Sequence, residues 1–143
     1  MSNLAKLQPY QKQGTLRGSP TETAYFKWLR EPLVGQCCLT GSPYFDLAHT
    51  AHGVAQGKGM GRKGPLDSVL PLKRPLHAIE ESKGAEFWAA VGLPDHLAWA
   101  ERLFEHFEQR LDPTEIFQDM QELSSRSVVR ELLTTGWPKE ATQ

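Results

Sequence analysis

The chain has 143 residues, 39% of them apolar, and a formal net charge of −1, enough for one domain with a modest core. No apolar run approaches the roughly 20 residues that a bilayer span requires, and the start carries no apolar signal core, so no membrane partner and a cytoplasmic location are expected. Its only cysteines are the adjacent Cys37 and Cys38, too few for a disulfide framework and compatible with a reducing cytosol.

Charge is unevenly spread. Before Ile79, ten Lys and Arg against four Asp and Glu leave +6, and the remainder carries −7. Such a division points to a polyanionic partner for the first part, or to two halves that neutralise one another. Residues 1–18 are polar and free of acids, with Lys6, Lys12 and Arg17, and read as a flexible basic arm. Ser19-Pro20-Thr21-Glu22 has the form of a capping box with proline at the first helical position, and predicts a helix ending near Pro32. Tyr25, Trp28 and Leu29 share one face of it at i, i+3, i+4 spacing and are expected in the core.

Gly41-Ser42-Pro43 marks a turn. Tyr44 to Ala48 then predicts a short strand that delivers His49. Gly53 to Pro65 holds five glycines decorated by Lys58, Arg62 and Lys63. Glycine at that density lets a backbone approach another chain closely, and loops of that length tend to be functional. Ser68 to Leu72 predicts a second strand, ended or placed at an edge by Pro71. After Pro75 helical signals resume, with His77 and Glu81 on one face a turn apart. Further helices are expected over Ala85–Val91, closed by Gly92, from Pro94-Asp95 through Arg110, from a second capping box at Asp112-Pro113-Thr114-Glu115 through Leu123, and over Val128–Leu133. Leu97, Ala100, Leu103, Phe104 and Phe107 form the apolar stripe of the longest. Trp88, Trp99 and Phe117 are expected to pack the core.

The stretch from Asp46 to Glu81 carries the chemistry. Phosphodiester hydrolysis needs an activated water, a cation at the leaving oxygen and neutralisation of the phosphate. A neutral imidazole can accept the water proton near pH 7. A second imidazole with a carboxylate can hold a cation, and Lys or Arg in a glycine loop can hold a phosphate backbone.

These residues carry a family resemblance. YFKWLR before the cysteines, AHTAHG, GKGMGRKGPLDS and LPLKRPLH together resemble the HNH (ββα-metal) endonucleases, more narrowly the phage recombination enhancement function nucleases and their prophage relatives. The resemblance covers about half the chain, from Tyr25 to Val91. It implies a small two-stranded ββα-metal motif embedded in a mainly helical single domain of α+β class. It also implies His49 as general base, Asp67 orienting His49 or reaching the metal, and His77 as metal ligand with Glu81 as a second. Lys58, Arg62, Lys63, Lys73 and Arg74 would contact DNA, and His52 could substitute as ligand or phosphate donor. Departures from the pattern fall at Thr50, where a second His is expected, and at Thr40, Lys73 and Leu76, where zinc ligands are expected beside Cys37. Glu81 replaces a further helix His. A structural zinc is therefore not expected, and a carboxylate at Glu81 favours Mg²⁺ or Mn²⁺.

The organisation expected is an arm over 1–18, an HNH-like core over 19–92 and a helical extension over 93–143 packed on it. Three functional readings follow. One is a divalent-metal-dependent DNA endonuclease of phage or prophage type, acting in the host cytoplasm. Another is a catalytically degenerate relative that binds DNA or a host protein without cleaving. The last is a protein-interaction module in which the acidic helices after Glu80 dock a host or phage protein.

Overall fold

A computed structural model describes residues 20–51 and 66–138. The elements are α1 (Pro20–Leu29), β1 (Asp46–His49), a 3₁₀ turn (Leu66–Ser68), β2 (Val69–Leu72), α2 (Arg74–Lys83), α3 (Ala85–Ala90), α4 (His96–Gln109), α5 (Thr114–Leu123) and α6 (Arg126–Thr135). The fold is thus α+β, with one antiparallel two-stranded ribbon among six helices in the described residues. None of these helices is long and apolar enough to cross a membrane.

The ribbon pairs Asp46 with Leu72, Leu47 with Pro71, Ala48 with Leu70 and His49 with Val69. Both strands are shorter than the sequence suggests. Tyr44 and Phe45 precede the ladder, and Ser68 belongs to the 3₁₀ turn. The register nevertheless continues one step, because the Thr50 N–H donates to the Ser68 carbonyl at 3.0 Å. Pro71 fits its strand because, in a two-stranded ribbon, each strand has an unpaired edge. Its carbonyl still accepts from Cys38 N–H at 3.0 Å, which ties the Cys37-Cys38 segment to the ribbon.

One cluster of buried side chains runs from Tyr25 and Leu29 through Leu70, Leu76, Phe87 and Trp88 to Phe117 and Leu132. Trp88 and Phe117 are fully buried and Trp99 nearly so, while Trp28 packs against the cluster from its edge. The buried face of α4 is rotated from the expected stripe: it comprises His96, Trp99, Ala100 and Leu103, with Phe104 and Phe107 partly covered. His96 enters the interior because it stands one turn before Ala100, on the same face.

Two helix starts differ from expectation. Asp112 does not cap α5 within a capping box. Its carboxylate folds over Thr114, accepting from the backbone N–H at 2.9 Å and the hydroxyl at 2.6 Å, and Pro113 occupies the cap position. Helix α6 begins at Arg126 because Ser125 Oγ accepts from Val128 N–H at 3.3 Å. The expected start at Val128 is thus two residues late, because Ser125 caps the helix ahead of its first apolar residue.

Candidate functional site

The ribbon hands the chain to α2 through Lys73, whose cap position is followed by Arg74 and Pro75 in the first turn. Proline needs no hydrogen-bond acceptor there, so the helix starts without a side-chain cap. This start projects His77 from the first turns of α2 toward the beginning of β1. Its Nδ1 lies 3.0 Å from Asp46 Oδ2. Its Nε2 lies 3.8 Å from Glu81 Oε2, one turn along the helix. With Nδ1 donating to Asp46, Nε2 is the acceptor nitrogen and is turned to the Glu81 side, as a carboxylate–imidazole pair arranges for cation binding.

Asp46 is also gripped by Arg74, whose Nε and Nη2 lie 3.4 and 3.3 Å from its two oxygens. The hydrogen bond with His77 first, and the Arg74 guanidinium after it, hold the Asp46 carboxyl below the ordinary carboxylate value. Sequence reasoning assigned Asp46 no role. Its signal was an acid opening the strand whose partner strand leads into the His77 helix.

His49 closes β1, half-buried, its ring 6.1 Å from that of Phe26 on α1. The strand pleat sends Asp46 and Ala48 to one face and Leu47 and His49 to the other. The His77 couple and His49 are therefore rooted on opposite faces of the ribbon. Asp67 lies in the 3₁₀ turn that packs on α4. Its charge acts on two groups there. It adds to burial, the larger cause, in pushing the Tyr25 phenol up. It also adds to burial and Glu105 in raising the Glu108 carboxyl. Asp67 and His49 thus belong to the α1–α4 side of the ribbon, and His77, Glu81 and Asp46 to the α2 side. Lys73 and Arg74 stand at the β2–α2 junction. His52, Lys58, Arg62 and Lys63 lie outside the described residues.

A groove of about 550 Å³ opens beside Asp46, lined by Arg30, Tyr44, Lys73 and Arg74 among others. Arg30 follows α1 directly, four residues after Phe26, and its guanidinium sits 5.9 Å from the Phe26 ring centre. The same Phe26 ring thus touches both His49 and a wall of the groove.

No group of three or more His, Cys, Asp or Glu side chains that could hold a metal ion occurs among the described residues. Asp46 and Glu81 approach opposite ring nitrogens of His77, so the three do not share a point. His77 Nε2 and Glu81 Oε2 form a two-donor set of mixed N and O type. Nitrogen and carboxylate oxygen are donor types that Mn²⁺ and Mg²⁺ accept.

The positions where zinc ligands are implied hold different chemistry. Cys37 Sγ accepts from Lys73 N–H at 3.3 Å, so the Cys37 segment and the β2–α2 turn do meet. Leu76 beside them is fully buried, and Thr40 is exposed. Apolar packing and a thiol hydrogen bond stand where a metal would cross-link the two turns. Burial pushes the Cys38 thiol up, with the Cys37 thiol adding to it. The chain matches no family model, no curated protein and no solved structure among those compared with it.

Proposed function

We propose that the chain is a divalent-metal-dependent HNH-type DNA endonuclease that hydrolyses phosphodiester bonds. One observation carries this reading: in a strand–strand–helix unit, the His77 ring is aligned by Asp46 and presents Nε2 beside Glu81. His77 and Glu81 hold the cation, which when bound supplies charge stabilisation at the phosphate and leaving oxygen. Asp46 fixes the imidazole tautomer that keeps Nε2 available. Lys73 and Arg74 neutralise the strand; His49, with Asp67 orienting it, is the residue the family pattern assigns to accept the water proton, and its rooting on the ribbon face opposite the His77 couple is the observation that weighs against this reading. The meeting of Cys37 with the Lys73 turn supports the resemblance, since it joins two segments that the family pattern places together.

Nicking of supercoiled plasmid with Mg²⁺ or Mn²⁺ tests the proposal. Cleavage is expected from the wild type, with loss of about 10- to 100-fold or more in His77→Ala and Asp46→Ala through weakened metal binding. Loss in His49→Ala is expected even at saturating metal. Absence of cleavage by the wild type with every divalent cation sinks the proposal.

A second reading, a DNA-binding relative that no longer cleaves, is favoured by the placement of His49 and the His77 couple on opposite ribbon faces and by the buried Leu76. It predicts salt-sensitive DNA binding in EDTA, unaffected by His49→Ala, with no products under any metal condition.

A further inference from the structure

We propose that the groove beside Asp46 is a subsite for one unpaired nucleotide of single-stranded DNA, with the Tyr44 ring as stacking platform and Arg30 and Lys73 as phosphate contacts. The inference rests on the nucleic-acid reading above and adds the strandedness of the substrate.

Charge argues for an anionic occupant. Arg30, Lys73 and Arg74 line the groove against the single carboxylate of Asp46. That carboxylate is committed to Arg74 and His77. Among the described residues no carboxylate pairs with Arg30 or Lys73. Two cations are thus left facing one cleft, and a phosphodiester neutralises them where a neutral ligand does not.

Ring geometry argues for a base beside the phosphate. Tyr44 is 79% exposed at the lip of this groove. A single exposed aromatic is ordinary on a protein surface, but this one is mounted on a fixed backbone. Its N–H donates to Ser42 Oγ at 3.0 Å, and the Ser42 hydroxyl lies 3.3 Å from its carbonyl oxygen. Pro43, with its restricted φ, sits between them. A backbone held before binding limits the entropy lost on stacking to that of the side chain. The volume of about 550 Å³ is that of a small-ligand site. Bases within a duplex already stack on their neighbours, so a free base face requires an unpaired nucleotide.

Fluorescence anisotropy in EDTA tests the subsite without cleavage, using a labelled oligothymidylate, an abasic oligomer of equal length and a duplex of equal length. The wild type is expected to prefer the oligothymidylate over both. Tyr44→Ala should weaken oligothymidylate binding about tenfold or more, the scale of one base–aromatic stack, and leave the abasic oligomer unchanged. Tyr44→Phe should retain affinity, and Arg30→Ala with Lys73→Ala should weaken both single strands and flatten their salt dependence. Tyr44→Ala without effect, an equal loss on the abasic oligomer, or equal wild-type affinity for the duplex overturns the subsite. Tyr44-dependent binding by a protein that never cleaves upholds the subsite and rejects the nuclease reading. Cleavage by a protein indifferent to Tyr44 does the reverse.

Discussion

Asp46 illustrates how little an exposed ion pair explains by itself. Its partner Arg74 is 84% exposed, and surface pairs of this kind contribute about 0–1 kcal/mol. The bond to His77 Nδ1 is more protected, and it is the larger cause of the lowered carboxyl. A carboxyl depressed in the folded state adds stability above its unfolded value of about 3.9, and that contribution is lost as pH falls through the lower folded value. Thermal unfolding of wild type and Asp46→Asn should therefore differ at pH 6 and converge in strong acid. A difference that stays constant with pH would remove Asp46 from the account. Deeper in the protein, Trp88 Nε1 donates to Glu80 Oε2 at 3.0 Å in a fully buried pair. Trp88→Phe should destabilise by roughly 1–3 kcal/mol for the lost donor alone, measurable by urea unfolding. Glu80 was legible only as part of a helix face at i, i+3 from His77. Its burial comes from α3 folding over α2, a tertiary event that no local spacing announces.

Among the elements, the approach to the ribbon is the most constrained. A Cβ placed on Gly35 would lie 1.8 Å from the Leu29 carbonyl oxygen and 3.0 Å from the Phe45 ring. Backbone cannot yield as a side-chain tip can. Gly35→Ala should therefore cost roughly 1–3 kcal/mol, the range of overpacking, and a neutral result in denaturant titration would contradict the close approach. The two turns joined by Lys73 N–H and Cys37 Sγ offer a sharper test of the family resemblance. In the combined variant Thr40→Cys, Lys73→Cys, Leu76→His, four donors would return to the positions the family uses. The expected outcome is retention of stoichiometric zinc through gel filtration and unfolding on chelation, since structural zinc contributes folding energy. Failure to retain zinc would weaken the resemblance. Elements with end signals were readable: Pro20 and Gly92 mark boundaries that the structure keeps within a residue or two. Asp46 as a site residue was not, because an acid opening a strand reads as solvated until the ribbon register and the α2 direction are known.

Between the ribbon and the helices that follow it, one continuous core leaves the basic and acidic parts of the chain in contact, not in separate units. Asp67 acting on Glu108 of α4 is one sign of this. The groove cations face outward from this arrangement, so DNA affinity should fall with salt at a slope of about −0.7 to −0.9 per phosphate neutralised. Filter binding across a salt series would measure it, and a flat profile would argue for a different partner. At this level the sequence conveyed the charge division and the ββα order of elements. It did not convey on which side of the ribbon α2 packs, and so which face of the ribbon His77 meets, because that is set by tertiary packing and not by strand alternation.

Thr50 and Ser68 close the neck of the ribbon. The Ser68 carbonyl accepts from both Thr50 N–H at 3.0 Å and Thr50 Oγ1 at 2.7 Å. The Thr50 carbonyl in turn accepts from His96 Nε2 at 3.0 Å, and His96 is stacked 4.6 Å from Trp88. Such a clasp fixes the spacing of Thr50 and Ser68 through backbone and side chain together, and ties both to His96 and Trp88. Chain ends held in this way keep their spacing when peptide is inserted between them, so the ribbon ladder itself need not shift. Lengthening a loop costs only about 0.6 kcal/mol per doubling.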